Sequence, residues 1–536
     1  MIYINHFFLS IFDHLRKIYI NSNFYDKKIS KIYNSEFLYK PSPYLLSSLI
    51  NYQKKKSMID DILIDEIWNN NNLNLKNYKS LNNFYWLFSL DLKSSKEITQ
   101  SVILSWIKKN SKFSDKTWNF DITAKRIIAW LSCHNLTYDG SNENYRDTFN
   151  KMIMKQTNHL INEIKRSELL DDKLIGCASI ILVGLCYQND KKYLSFGTSI
   201  LKKISKSSLD NNGFTKSRSI KQLVFFLKYF VLIREWFKES RVNIPEHIDE
   251  TIFYLGQSYA FAWQNLGYDF LFNGNNLSNN KAFDIYLERL GYKFKNENHD
   301  FGGYIILNNK KICLTMDVGS TPNFNHSKYY QSGALSFEII SNGQKLISNC
   351  GYYKETNLKL NKLSKSSAAQ NTLIIDDNSS CKFTKINNLW LVKKGLKVSK
   401  KNTIYEKDYW KINASHDGYL NKYNSIHERE IEFFPNQMKF LGQDKIIKKK
   451  INHNYKFDIR FHFELNVKLM KTQDNKAILI ELNNEGWKFT CDNYNINIDK
   501  GLFFGKKNSY TENHNISISG ISNNKIENIR WVIAKI

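Results

Sequence analysis

The chain has 536 residues, and 77 Lys and Arg against 51 Asp and Glu give it a formal net charge of +26. That length exceeds what one hydrophobic core organises, so two or more domains are expected. An apolar content of 42% with 14% aromatic residues excludes a disordered chain.

The basic excess invites a polyanionic partner. It is dispersed, however, with Lys54, Lys55 and Lys56 and Lys448, Lys449 and Lys450 as its densest runs. Such dispersal is typical of a solvated surface and of a skewed overall composition. No basic face with interleaved aromatics is evident, so nucleic acid ranks last among the partners. The seven cysteines are scattered, odd in number and without short paired spacings, which argues against a disulfide framework or a thiolate zinc centre. The first twenty residues are apolar but broken by His6, Asp13, His14, Arg16 and Lys17. They show no recognisable signal peptide. The longest apolar run, 223–233, contains Lys228 and is too short to span a bilayer, so no transmembrane segment is expected.

In chain order, residues 1–80 read as a helical extension, with a turn at Pro41 and Pro43. From Tyr85 apolar residues recur at three- and four-residue intervals, the period of helices with one buried stripe. Segments begin at Tyr85, Val102 and Arg126, and helices follow at 152–164, 174–187, 193–204, 220–237, 248–265 and 282–290. The helices 174–187 and 223–233 are apolar nearly all round, which places them between layers. Antiparallel helix pairs without a fixed repeat favour a closed (α/α) toroid over residues 81–295. After Tyr268 the pattern becomes alternating. Strands are expected at 301–307, 311–317, 334–339, 345–347, 372–375, 389–392, 409–414, 426–434, 457–463, 477–482, 487–490 and 516–521. Many short strands without an intervening long helix predict an antiparallel β-sandwich over residues 296–536. The fold class is therefore α+β multidomain: an N-terminal (α/α) toroid, then the sandwich.

The central stretch, 331–377, contains GALSFE, LISNCG and AAQNTLIIDD. With WNFDITAKRIIAW (118–130), LIGCASIILVGLCY (174–187), NNGFTKSRSIKQL (211–223), FNGN (272–275), LTMDVG, ASHDGY, HERE, RFHF and GWKF, it resembles the heparinase II/III-like family, in this order along most of the chain. The resemblance implies a polysaccharide lyase acting on an acidic, uronic-acid-containing glycan by β-elimination. In that chemistry the carboxylate is neutralised, a base removes the C5 proton and an acid protonates the departing 4-oxygen. It also implies a cell-envelope or periplasmic setting, although the missing signal peptide leaves the cytoplasm open. Several members hold a zinc with two His and one Asp. The matching positions here are Gln331, Asn349 and Gln370, so neither a metal nor another cofactor is expected.

Candidate residues follow. Tyr330, with Tyr329 beside it, and His326 are candidate acid and base. Arg126 and Arg218 are candidates to pair with a uronate carboxylate, Arg126 having an internal ion pair with Asp121 as its bland alternative. Lys216 and Lys221 flank Arg218, while Gln222, Asn273 and Gln331 are candidate sugar contacts. Trp118 and Trp263 are stacking or core residues. A second reading is a non-catalytic or divergent member that binds or matures a bacterial cell-surface polysaccharide. The oligomeric state is not legible.

Overall fold

The computed structural model describes residues 14–31, 36–47, 49, 68, 75–90, 95–167, 169–188, 191–278, 280–354, 356–450, 454–506 and 509–536. The apolar N-terminal residues 1–13 and the Lys54, Lys55 and Lys56 run lie outside them. By its contacts the chain forms two compact units. One comprises residues 1–207, 225–253 and 282–292, and the other 208–224, 254–281 and 293–536. Two excursions of the helical half, 208–224 and 254–281, thus pack with the β half. The fold is an (α/α) helical toroid followed by antiparallel sheets.

The helices form where the apolar spacing places them. Lys96–Lys109 begins at Ser95, whose hydroxyl accepts from the Ile98 N–H, and Glu143–Glu163 begins at Asn142, which accepts from Tyr145 N–H. Each cap satisfies a donor the helix leaves orphaned. Leu170–Cys186 is buried along every residue from Leu174 to Cys186, so both its faces meet protein. It packs on Phe120–Ser132, which also meets Glu143–Glu163. Trp106, Trp118 and Trp130 are fully buried, with Trp106 and Trp130 edge to face at 5.6 Å. Among the described residues no helix is long and apolar enough to cross a membrane.

In this unit His159 is buried, its Nδ1 2.8 Å from the Tyr25 hydroxyl, and burial pushes the imidazole down to about 3. A folded pKa below the unfolded value means stabilisation that is complete above that value and lost as pH falls. At pH 5 the loss is about 2 kcal/mol, taking an unfolded pKa of roughly 6.5. Denaturant titrations at pH 7 and pH 5 should show this slope in the wild type and a shallower one in His159→Gln.

Every strand pair in the β unit is antiparallel. An eight-stranded sheet runs in the spatial order Lys468–Lys471, Ala477–Leu482, Glu485–Cys491, Ile526–Lys535, Lys439–Lys448, Ser425–Phe434, Trp410–His416 and Val398–Tyr405. A five-stranded sheet orders Asp300–Phe301, Tyr304–Asn308, Ile312–Asp317, Phe337–Ser341 and Gln344–Ile347. Asn495–Phe503, Thr511–Ser522, Tyr455–His462 and Leu373–Ile375 make a four-stranded sheet, and Lys382–Ile386 pairs with Leu389–Lys394 in a separate hairpin. One apolar core joins the three larger sheets. At its centre Trp531 stacks on Phe337 at 5.4 Å and meets Phe461 edge to face at 5.0 Å.

Candidate active site

The β unit gathers several candidate residues through one buried ion pair. Ile312–Asp317 ends at Asp317, 1% exposed, and its Oδ1 accepts from Arg218 Nη2 at 2.5 Å. Arg218 also donates from Nη1 to Gly319 O at 2.9 Å and from Nη2 to Gly303 O at 2.8 Å. Burial opposes its charge, but Asp317 and the phenols of Tyr304 and Tyr330 raise its pKa above the ordinary value. Arg218 itself has φ of +60°, a conformation costly for a bulky residue and held here by its surroundings.

Asn273 extends this network. Its Nδ2 donates to Asp317 Oδ2 at 3.0 Å and to the Tyr304 hydroxyl at 2.6 Å, while that hydroxyl donates to Arg218 O. Asn273 Oδ1 accepts from Gln331 N at 3.2 Å. The loop carrying Asn273 is held from behind by Glu338, which accepts from Leu271 N, and by Asn275, whose Nδ2 donates to Phe270 O at 2.7 Å. Segments distant in sequence are thereby fixed to one carboxylate, and buried charges so paired and hydrogen-bonded are strongly position-determining.

The glycines around the guanidinium are required by space. A Cβ on Gly319 would lie 2.1 Å from Arg218 Cζ. Gly319→Ala should therefore displace the guanidinium and cost about 1–3 kcal/mol, measurable as a lowered denaturation midpoint. An unchanged midpoint would mean that Arg218 is not locked there.

Above this scaffold the 3₁₀ turn Phe324–Tyr329 carries His326 and Tyr329 three residues apart. In such a turn residues i and i+3 eclipse, so the two project from one side. Both are half-buried. The Tyr329 side chain packs over Gly274, where a Cβ would approach it to 2.7 Å, and the Lys328 ammonium lies 4.8 Å from its ring centroid. Burial first, then the charge of Lys216, pushes the His326 imidazole below its ordinary pKa, and its Nδ1 has no hydrogen-bond partner within the protein. A neutral imidazole beside a cation has the composition needed for proton abstraction next to a carboxylate.

Two expectations change. Tyr330 is fully buried; its hydroxyl accepts from Thr321 Oγ1 at 3.3 Å, and burial raises its pKa well above the phenol range. A sealed phenol that resists ionisation cannot meet a substrate, whereas the neighbouring Tyr329 is half-buried. Arg126 lies inside the helical unit, fully buried, where it donates to Gln156 Oε1, Asn82 O, Thr117 O and Thr123 Oγ1. Its guanidinium lies 4.0 Å over the Trp106 ring. Every face of the guanidinium is occupied by protein, and Asp121, its anticipated partner, instead pairs with Lys125 at 3.2 Å.

Arg218, Asn273 and Gln331 come together, but they face one another inside the unit. Lys221 and Gln222 fall on the first turn of Ile220–Glu239, half-buried and buried respectively. Trp118 and Trp263 are buried core residues. Asp317 and Tyr304 were not singled out from the sequence. Their only signal was an acid closing a strand before Val-Gly and a Tyr following Gly-Gly.

Amides occupy the positions where the resemblance implies zinc ligands. Gln331 Nε2 donates to Gly351 O at 2.9 Å and Ser364 O at 2.6 Å, and its Oε1 accepts from Gly274 N at 3.0 Å. Asn349 Oδ1 accepts from Asn371 N at 2.8 Å, and Gln370 Nε2 donates to Ser364 O at 3.4 Å. Amides are poor zinc ligands, and most of these donors and acceptors are engaged with backbone groups. The donor set does not fit zinc; here hydrogen bonds make the cross-links.

An (α/α) toroid followed by antiparallel sheets, with the polar network at the end of the middle strand of the five-stranded sheet, defines the class. Residues 297–532 match the family described as Heparinase II/III-like, C-terminal. The solved structure of a heparinase III superposes with a TM-score of 0.69 at 15% identity, covering 86% of this chain and 78% of that one. A mutant heparan sulfate lyase from Pedobacter heparinus superposes with a TM-score of 0.66 at 12% identity, covering 95% and 87%. At such identities the likeness is one of fold. No curated protein sequence matches the chain.

Proposed function

We propose that the chain is a polysaccharide lyase that cleaves an acidic, uronic-acid-containing glycan by β-elimination. The observation that carries this reading is the 3₁₀ turn presenting His326 and Tyr329 together, with Lys216 acting on His326. In the proposed step neutral His326 takes the C5 proton, the C4–C5 double bond forms, and the C4–O4 bond breaks. Tyr329 gives its proton to the departing oxygen. Lys216 offsets the charge that grows on the carboxylate as C5 loses its proton, which is where such stabilisation counts most. Arg218, Asp317, Asn273 and Gln331 act as positioning residues beneath the turn. The likeness to a heparinase III and to a heparan sulfate lyase supports a glycosaminoglycan as the substrate class.

The test is incubation with a panel of uronate polysaccharides, following the ultraviolet absorbance of the unsaturated uronate. Silence of the folded protein across heparan sulfate, heparin, hyaluronan, chondroitin and alginate would sink the lyase reading. The amides at Gln331, Asn349 and Gln370 favour a second reading, a member that holds an acidic glycan without cleaving it. Saturable binding without product would support that one.

A further inference from the structure

A pocket of about 530 Å³ lies in the β unit and shares no lining residue with the His326–Tyr329 turn. Four lysines border it, Lys362, Lys382, Lys394 and Lys422, against the single acid Asp377. The protein's charge excess is otherwise dispersed, so this convergence is a local feature. Lys382 and Lys394 are direct cross-strand partners in the hairpin formed by Lys382–Ile386 and Leu389–Lys394. Like charges directly opposite destabilise a strand pair, and among the described residues none of the four lysines forms an ion pair with a carboxylate. Two of them rest on rings instead: Lys362 Nζ lies 4.9 Å from the Trp390 centroid and Lys422 Nζ 5.1 Å from that of Tyr423. All four are exposed, so their charges meet solvent at the rim.

The rest of the lining supplies what a sugar requires. Phe383 and Tyr423 offer ring surface, and Asn378, Asn421 and Ser379 offer amides and a hydroxyl. The volume falls within the range of about 300–1,000 Å³ usual for small-ligand sites. It admits a few sugar rings, whereas a nucleic-acid duplex needs an extended basic face. We infer that this pocket binds an anionic saccharide, a short sulfated or uronate-bearing stretch of glycan, at a site apart from the His326–Tyr329 turn. There the lysines take the anionic groups and the rings take the sugar faces. An acidic polymer held here would be retained by the β unit whether or not it is cleaved.

The experiment uses the full chain and a heparin tetrasaccharide, with hydrogen exchange and calorimetry as readouts. Protection is expected in peptides covering 376–394 and 418–423. The triple variant Lys382→Gln, Lys394→Gln and Lys422→Gln should lose that protection and weaken binding about tenfold, as expected for roughly three exposed charge contacts. Its melting should be at or slightly above that of the wild type, since the substitutions relieve the repulsion between Lys382 and Lys394. A control triple, Lys468→Gln, Lys471→Gln and Lys500→Gln, should bind as the wild type does. Protection confined to 324–331, or unchanged affinity in the first triple variant, would overturn the assignment. So would equal protection by inorganic sulfate alone or by a short DNA duplex, which would reduce the pocket to a general anion site. Because the readout is protection and not product, an absence of turnover would leave this result interpretable.

Discussion

Replacing Asp444 by Ala should lower the unfolding free energy of the β unit by about 3–5 kcal/mol, the usual cost of orphaning a buried charge. Asp444 is fully buried and accepts four hydrogen bonds: from Arg429 Nε at 2.8 Å and Nη2 at 3.1 Å, from His427 Nε2 at 2.6 Å and from Trp531 Nε1 at 2.9 Å. Arg429 is equally buried and ties Leu335 O and Asn371 O to the sheet. Without Asp444 its charge has no counterpart, and the Trp531 N–H at the core's centre goes unpaired. Burial alone would raise the Asp444 pKa, but Arg429 and His427 outweigh it and hold the carboxyl below its ordinary range. The sign is that of a depressed carboxylate: this stabilisation is present above the unfolded value and lost as pH falls through the folded one. Guanidinium titrations of Asp444→Ala, and of Asp444→Leu combined with Arg429→Met, separate the two contributions. The double variant should recover the part of the loss due to the unpaired Arg429 charge. It should not recover the part due to the Trp531 N–H and the Leu335 and Asn371 carbonyls, which stay without partners. A single variant within about 1 kcal/mol of wild type, the scale of an exposed pair, would show that the network is not holding the sheets.

Asp444 also shows why part of this unit was invisible in the sequence. Lys439–Lys448 alternates strictly between buried and half-buried positions, yet its buried residues are Phe440, Gly442, Asp444, Ile446 and Lys448. Only two of these read as apolar. Gly442 is there because Trp531 lies against it, a Cβ meeting the indole at 2.0 Å, and the Lys448 ammonium donates to Ser522 O at 2.8 Å. The period survives, but the hydrophobicity that would reveal it has been replaced by partners from other strands. Strands such as Ala477–Leu482, whose buried residues are themselves apolar, were read directly. The helices were legible for the same reason.

Boundaries failed where tertiary contacts override local pattern. The alternation from Ala334 suggested a strand, but Leu335 has φ of +59° and its N–H donates to Asp317 O, so the strand begins at Phe337. The pieces of the candidate site were legible as residue types. Their orientation was not, since whether Arg218 faces solvent or Asp317 depends on a turn with positive φ and two flanking glycines. That choice lies in the packing and leaves no period in the sequence.

The turn itself carries the second large effect. If His326 takes the C5 proton and Tyr329 protonates the leaving oxygen, His326→Gln and Tyr329→Phe should each lower kcat about 10²–10⁴-fold, the contribution typical of a positioned acid or base. Each should leave the unfolding midpoint unchanged, because both side chains are only half-buried. Tyr330→Phe should change turnover little, its hydroxyl being sealed against Thr321. The pH profile distinguishes a base from a structural residue. Burial and Lys216 depress the His326 pKa, so the neutral form persists to a pH below the ordinary imidazole value, and kcat should fall only beneath that point. Lys216→Met removes one of the two causes. It should move the acid limb to higher pH while raising KM, since the uronate carboxylate loses its counter-charge. An acid limb that stays in place in Lys216→Met would remove His326 from the reaction. Loss of activity in Tyr330→Phe with retention in Tyr329→Phe would require the turn to open and expose the inner phenol.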